Sequence, residues 1–208
     1  MSPVDALVSV LLGLGTGLSL IIAIGSQNAF VLRLGIAGNT RTIAAVVLVC
    51  ALSDALLIVA GILGIGVVIQ AAPVALIVIR VVGAGFLLVY GIFAARRAIR
   101  PRPLEVDGGV VIGFGAAVAT VIGLTWLNPH VYLDTVIFLG SVGNQQGESA
   151  RWWWAAGAIA ASFLWFFSLG FGARLLRPLF ARPGAWRVLD AIIAVVMLAL
   201  GVKIALGA

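Results

Sequence analysis

An acid in the middle of a long apolar run is costly in hydrocarbon and marks a place where something uses it. Asp54 and Asp134 both lie in such runs, and two carboxylates facing one cavity would make it a cation site. Asp134 closes the stretch Thr125-Trp126-Leu127-Asn128-Pro129-His130-Val131-Tyr132-Leu133-Asp134, which also contains a helix breaker. Pro129 withholds a backbone N–H and pushes Asn128 out of the α region, so a helix crossing this stretch should be interrupted there. An interrupted helix offers unpaired amide donors at the start of one half and unpaired carbonyls at the end of the other. A carboxylate suits the donors and an ammonium suits the carbonyls. A ligand with two positive groups and one negative group, such as lysine or arginine, would satisfy acids and helix ends together. Gln27, Asn28, Asn128, His130 and Tyr132 could supply orienting hydrogen bonds, with Thr125 beside them. A local hydrogen bond at a helix terminus accounts equally well for His130. An aspartate that alternates between a proton and the cargo would couple movement to the proton gradient.

The elements that must position these residues are membrane spans. The sequence is 63% hydrophobic and only 10% charged, against about 25% charged residues in soluble domains. A span needs roughly 20 apolar residues, and about six such runs fit in the 208 residues. The expected fold is therefore an all-α integral membrane protein of six helices. Helix one, from Val4 past Ile24, is too long for one perpendicular span, so a break is expected at Gly25 to Asn28 with a half-helix beyond. Helix four, from Val110 to Val142, should break at Asn128-Pro129. Asp54 lies in the middle of helix two, about 20 Å along from Arg41 at ~1.5 Å per residue, where its short stem cannot snorkel. Cys50, Asp54 and Gly61 share one face of that helix, with Ser53 adjoining. Arg80 in helix three is expected to snorkel to an interface, with contact to an anionic group as the alternative. Asp190, three residues from Arg187, reads as half of a surface ion pair. Trp152, Trp153 and Trp154 read as an interfacial belt.

Charge gives orientation rather than a nucleic-acid site, despite the net charge of +6. Arg33 and Arg41 follow helix one, Arg96, Arg97, Arg100 and Arg102 follow helix three, and Arg174, Arg177, Arg182 and Arg187 join helices five and six. Arg151 and Lys203 alone stand on the other side, which places both termini outside the cytoplasm. The basic, proline-bearing segment 96–109 divides the chain into halves, 1–95 and 110–208. The halves echo each other: Asn28 and Asn128, Ser53…Gly61 and Ser162…Gly170, and Gly91 and Gly201. Three helices per half is an odd number, so the two repeats would be inverted, with helices one and four discontinuous. The echo fails at one telling position, where Phe163 occupies the place of Asp54. The single cysteine, Cys50, excludes an internal disulfide and a dithiol redox pair. No nucleophile–base pair or metal cluster is visible, so neither enzyme chemistry nor a cofactor is expected.

The segments Gly25-Ser26-Gln27-Asn28-Ala29-Phe30-Val31, Cys50-Ala51-Leu52-Ser53-Asp54, Thr125 through Thr135, and Arg151-Trp152 through Gly172 resemble the lysine and arginine exporter family, and its arginine branch most. The resemblance covers the chain apart from 96–109. It implies a small carrier in the bacterial cytoplasmic membrane that exports L-arginine or L-lysine, driven by the proton-motive force, with membrane lipid and protons as its other partners. By the same resemblance Asp54 and Asp134 match the family's two intramembrane acids, and Asn128-Pro129 its second-half break. The family has proline where this chain has Ser26. Export of neutral amino acids on the same fold and a non-transporting assembly subunit are the rival readings. The oligomeric state is left open, a homodimer being one option.

Overall fold

A computed structural model describes residues 2–22, 25–65, 73–99, 112–181 and 183–206. The described residues are helical and contain no strand. In chain order the helices are α1 (Pro3–Ile21), α2 (Ser26–Ala37), α3 (Thr40–Ile62), α4 (Pro73–Ile99), α5 (Phe114–Trp126), α6 (Pro129–Asn144), α7 (Arg151–Gly172) and α8 (Pro183–Leu206). Their starts follow from local chemistry. Ser2 and Asp5 form a reciprocal capping box ahead of Pro3, and the Asn39 side chain accepts from the Thr42 amide at 2.8 Å to begin α3. Five helices are each long and apolar enough to cross a membrane, and α5 with α6, bent by 59° at their junction, can make a sixth crossing. The protein is thus a multi-pass membrane protein.

Close approaches fix the relative directions of the helices. Gly13 and Gly17 of α1 meet the backbone of α7 at Trp154 and Ala158, and Gly157 meets Val10, so α1 and α7 run parallel. Asp54 bonds Ser162, Gly170 packs on Val47, and Arg174 reaches Thr40, which makes α3 antiparallel to α7. Trp126 bonds Ser53 while Gly61 lies on Val136 and Gly140, so α5 and α6 run parallel to α3. α4 and α8 form a long antiparallel pair: Gly91 lies against Leu198, and Gly201 reciprocally against Leu88. One end of the bundle therefore gathers the C-terminal ends of α2, α4 and α7 with the N-terminal ends of α3 and α8. Arg33, Arg41, Arg96, Arg97, Arg174 and Arg177 all lie toward it.

Several positions differ from the reading of the sequence. Asp190 is not a surface partner of Arg187; it is 4% exposed and pairs with Arg33 of α2 and Arg97 of α4. The rings of Trp186 and Tyr90 lie under those two guanidinium groups. Arg80 reaches the C-terminal end of α8, where its Nε and Nη2 donate to the carbonyls of Ile204 and Ala205, and it meets no anion among the described residues. Of the tryptophan triplet, Trp152 and Trp153 are exposed, but Trp154 is buried, its ring against Gly143 of α6, and belongs to the core. The expected break at Gly25 to Asn28 lies further upstream: α1 ends at Ile21, Gly25 is the N-cap of α2, and Ser26, Gln27 and Asn28 form its first turn. Residues 96–99 continue α4, and the rest of the expected basic linker, 100–109, lies outside the described residues.

Asp190→Asn leaves two arginines without their shared counter-charge. The substitution is expected to cost on the order of 3 kcal/mol, the usual penalty for stripping one partner from a buried pair. Thermal unfolding of the purified protein in detergent reads it directly, and a Tm equal to wild type would contradict the structural role of this cluster.

Candidate functional site

The site is built where α2, α3, the α5–α6 junction and α7 converge. Cys50, Ser53 and Asp54 line the inner face of α3, all buried. Asp54 Oδ2 accepts a hydrogen bond from Ser162 Oγ at 2.7 Å, and Ser162 is itself fully buried on α7. Among the described residues, the only acid with an ion-pair partner is Asp190, and none of their cations pairs with Asp54. A carboxyl group at this depth is tolerable as a neutral acid or beside a positive charge, and not otherwise.

Two tryptophans connect this acid to the interrupted helices. Trp126, the last residue of α5, donates its Nε1 to Ser53 Oγ at 3.1 Å, directly beside Asp54 in sequence. Trp165, one turn beyond Ser162, donates its Nε1 to Asn28 Oδ1 at 3.1 Å. Asn28 Nδ2 in turn donates to the Ile21 carbonyl at 2.6 Å, bridging the end of α1 to the first turn of α2. Ser26 is 1% exposed with its Oγ buried and unpartnered among the described residues. The Gln27 side chain, its Nε2 buried, reaches toward the Cys50 thiol on α3.

The second interruption is closed from within. α5 ends at Trp126 because Asn128, at φ −96° and ψ 109°, leaves the helical region ahead of Pro129. The Asn128 side chain then accepts from the His130 amide at 3.1 Å, acting as N-cap of α6. Tyr132 OH donates to the Trp126 carbonyl at 2.8 Å, satisfying an acceptor that the break would otherwise strand in the membrane. Gly83 of α4 lies so close to this junction that a Cβ would overlap the Leu127 carbonyl. From Tyr132 to Leu139 the chain is wound as a π-helix, a geometry that recurs at functional positions, and Asp134 lies within it.

The residues singled out from the sequence thus divide. Gln27, Asn28 and Asp54 converge around α7, with Asn128, Pro129 and Tyr132 at the adjoining junction. Thr125 is fully buried, and its hydroxyl donates to the Val121 carbonyl within α5. Asp134 is exposed and feels the charges of His130 and Lys203, whereas Asp54 is buried against Ser162. The two acids have no partner in common among the described residues. Reading the sequence missed Trp126 and Trp165 as site residues. Ser162 was marked by its matching spacing to Gly170, but not as the partner of Asp54.

A family model described as LysE type translocator matches residues 18–208. The chain is 44% identical over 190 residues to the provisionally named amino-acid transporter Rv0488 of Mycobacterium tuberculosis, covering 90% of this chain and 92% of that protein. It is 38% identical over 228 residues to the lysine exporter LysE of Corynebacterium glutamicum, covering 93% and 97%. It is 41% identical over 187 residues to the arginine exporter ArgO of Salmonella schwarzengrund, covering 89% and 87%. No solved structure matches the chain.

Crowding at the second junction gives a direct check. Gly83→Val pushes a branched side chain onto the Leu127 carbonyl and is expected to cost about 1–3 kcal/mol, as overpacking usually does. Gly85→Ala, where a Cβ meets open space, is the control and should melt within about 1 kcal/mol of wild type. Equal melting temperatures for the two variants would show that the junction does not depend on this approach.

Proposed function

The chain belongs to the LysE type translocator family, a family of amino-acid exporters and not of enzymes, and on that premise we propose that it exports basic L-amino acids, arginine or lysine, across the bacterial cytoplasmic membrane. The observation that carries the reading is Asp54: a buried carboxyl group, hydrogen-bonded to Ser162, with no cation beside it among the described residues. A cationic cargo supplies that charge, and a proton replaces it when the cargo leaves. Alternation of the two on one carboxyl group couples export to the proton-motive force. Two relatives named as exporters of lysine and of arginine support the choice of cargo.

Asp134 stands further along the same direction of travel. Gly61 of α3 is level with Val136 and Gly140, so Asp134 lies about one turn beyond Asp54, toward the end of the bundle that holds Lys203. It serves as the next station for the cargo on its way out. The arginine-rich end faces the cytoplasm by the positive-inside tendency, which leaves both termini outside. His130, Tyr132 and Asn128 shape the path at the junction; Thr125 acts through the helix that it bonds.

The proposed architecture is a pair of inverted three-helix repeats, 1–95 and 110–208, with α1–α2 and α5–α6 as the discontinuous members and α4 running on to Ile99 before the second repeat. The packing supports it. In each half the discontinuous helix runs parallel to the middle helix of the other half, and the two third helices meet through the reciprocal Gly91–Leu198 and Gly201–Leu88 contacts. The repeats differ at the site itself, where one contributes Asp54 and the other the Ser162 hydroxyl that binds it.

Efflux of radiolabelled arginine, lysine and threonine from vesicles containing the protein tests the reading. Arginine or lysine should leave faster than threonine, and collapsing the pH gradient and voltage should stop net export. Asp54→Asn should abolish coupled flux without changing the folded yield. Rapid export that ignores both gradients, or an Asp54→Asn protein that exports normally, would overturn the mechanism.

A further inference from the structure

Two packed bodies are bridged by a buried ion cluster near the arginine-rich end. α2 is fixed to α7: a Cβ on Gly35 would overlap the Gly170 carbonyl, and Arg177 Nε and Nη2 donate to the carbonyls of Ile36 and Gly38 at 3.0 and 3.2 Å. α4 and α8 are fixed to each other through Gly91 and Gly201. Asp190 of α8 bridges the two bodies by pairing with Arg33 of α2, while Arg97 of α4 donates its Nε to the same carboxylate oxygen at 3.2 Å. Arg33 lies over the Trp186 ring and Arg97 over the Tyr90 ring, each at 5.7 Å, and Phe30 of α2 meets Tyr90 edge-on. Two cations therefore share one acid, and either of them alone would neutralise it. Apolar side chains would join the helices at least as firmly, because a buried ion pair gains little stability over them. The place also matters. Arg33 stands about 8 Å beyond Asn28 along α2, at ~1.5 Å per residue, so the cluster lies between Asp54 and the arginine-rich end.

We propose that Arg33, Asp190 and Arg97 form the gate on the cytoplasmic side of Asp54, which opens when Arg33 leaves Asp190 and Arg97 stays. Departure of Arg33 lets α2 and α7 part from the α4–α8 pair and clears a way to the site. Stripping a buried carboxylate of its last partner is the costly part of breaking such a pair, and Arg97 spares the gate that cost. The two arginines thus have opposite effects on one equilibrium: Arg33 stabilises the closed state alone, and Arg97 makes the open state possible. Interfaces that switch between two discrete pairings in this way are a common basis of alternating states. The gate deepens the export reading and takes from it which end faces the cytoplasm.

The single cysteine is a built-in reporter, because Cys50 is 0% exposed and lies one turn before Asp54 on α3. A membrane-impermeant maleimide is applied to the full chain in inside-out vesicles, whose cytoplasmic face is outward. Arg33→Gln should label Cys50 roughly tenfold faster than wild type or more, as loss of a hydrogen bond to a charged group allows. Arg97→Gln should label it more slowly than wild type, since opening would then strand Asp190. A cluster that merely braces the bundle loosens in both variants, so labelling that rises in both, or in neither, would overturn the gate. The KM for arginine at the cytoplasmic face should follow the same split, falling in Arg33→Gln and rising in Arg97→Gln, because apparent affinity scales with the fraction of protein that is open. A KM unmoved in both variants would also overturn it. If Arg33→Gln does not fold, Arg33→Lys takes its place; it keeps the charge, loses the planar fork and should still label faster than wild type. A protein that shows the labelling split but moves neither arginine nor lysine keeps the gate and loses the export reading. One that exports arginine without the split does the reverse.

Discussion

The bond between Asp54 and Ser162 is the contact on which the interior is organised. It joins α3 and α7 in the interior, where a hydroxyl donor is worth most to a carboxyl group deprived of water. Apolar packing surrounds it: Ile43, Val46, Val47 and Cys50 on α3 and Phe166 on α7 are all buried. That packing holds the two helices, and among the described residues none supplies a counter-charge, so the acid is fixed in place by one hydroxyl and apolar surroundings.

Around that bond, each helix interruption is controlled by an indole N–H. Trp126 ties the end of α5 to Ser53, and Trp165 ties Asn28, and through it the end of α1, to α7. An indole brings a large apolar body and one donor, so it can anchor a polar strand of backbone without exposing a second polar group to lipid. The two junctions differ in what they leave open. At Asn128 the side chains of Asn128 and Tyr132 take up groups that the break frees, whereas Gly25 gives α2 no side-chain cap. At the opposite extreme of the polar interior, Asp190 binds Arg33 and Arg97 and so links α2 to the α4–α8 pair. The same half-helix therefore meets Trp165 through Asn28 in its first turn and the buried ion pair through Arg33 further along.

Some of this was legible in the chain and some was not, for physical reasons. Pro129 and the depth of Asp54 in its apolar run are local facts, readable because proline geometry and the cost of a buried acid do not depend on neighbours. Asp190 was misjudged because Arg187 is near in sequence, while Arg33 and Arg97 are near only after α2, α4 and α8 assemble. Trp154 looked like its two neighbours until Gly143 of α6 made room for its ring. Ser162 and Trp165 carry no local signal at all, since a serine and a tryptophan in an apolar helix gain meaning only from what faces them.

The sequence by itself determined that this is a helical membrane protein, where its second junction interrupts a helix, and that Asp54 lies deep in an apolar helix, because hydropathy, proline and charge act on the residue that bears them. Only the tertiary structure decided that Asp54 is buried against Ser162 while Asp134 is exposed near Lys203, that two tryptophans hold the junctions, and that Asp190 is a core ion pair. Those outcomes depend on which helix faces meet and in which direction the helices run, and no residue carries that information until close approaches such as Gly61 on Gly140 and Gly91 on Leu198 have fixed the packing.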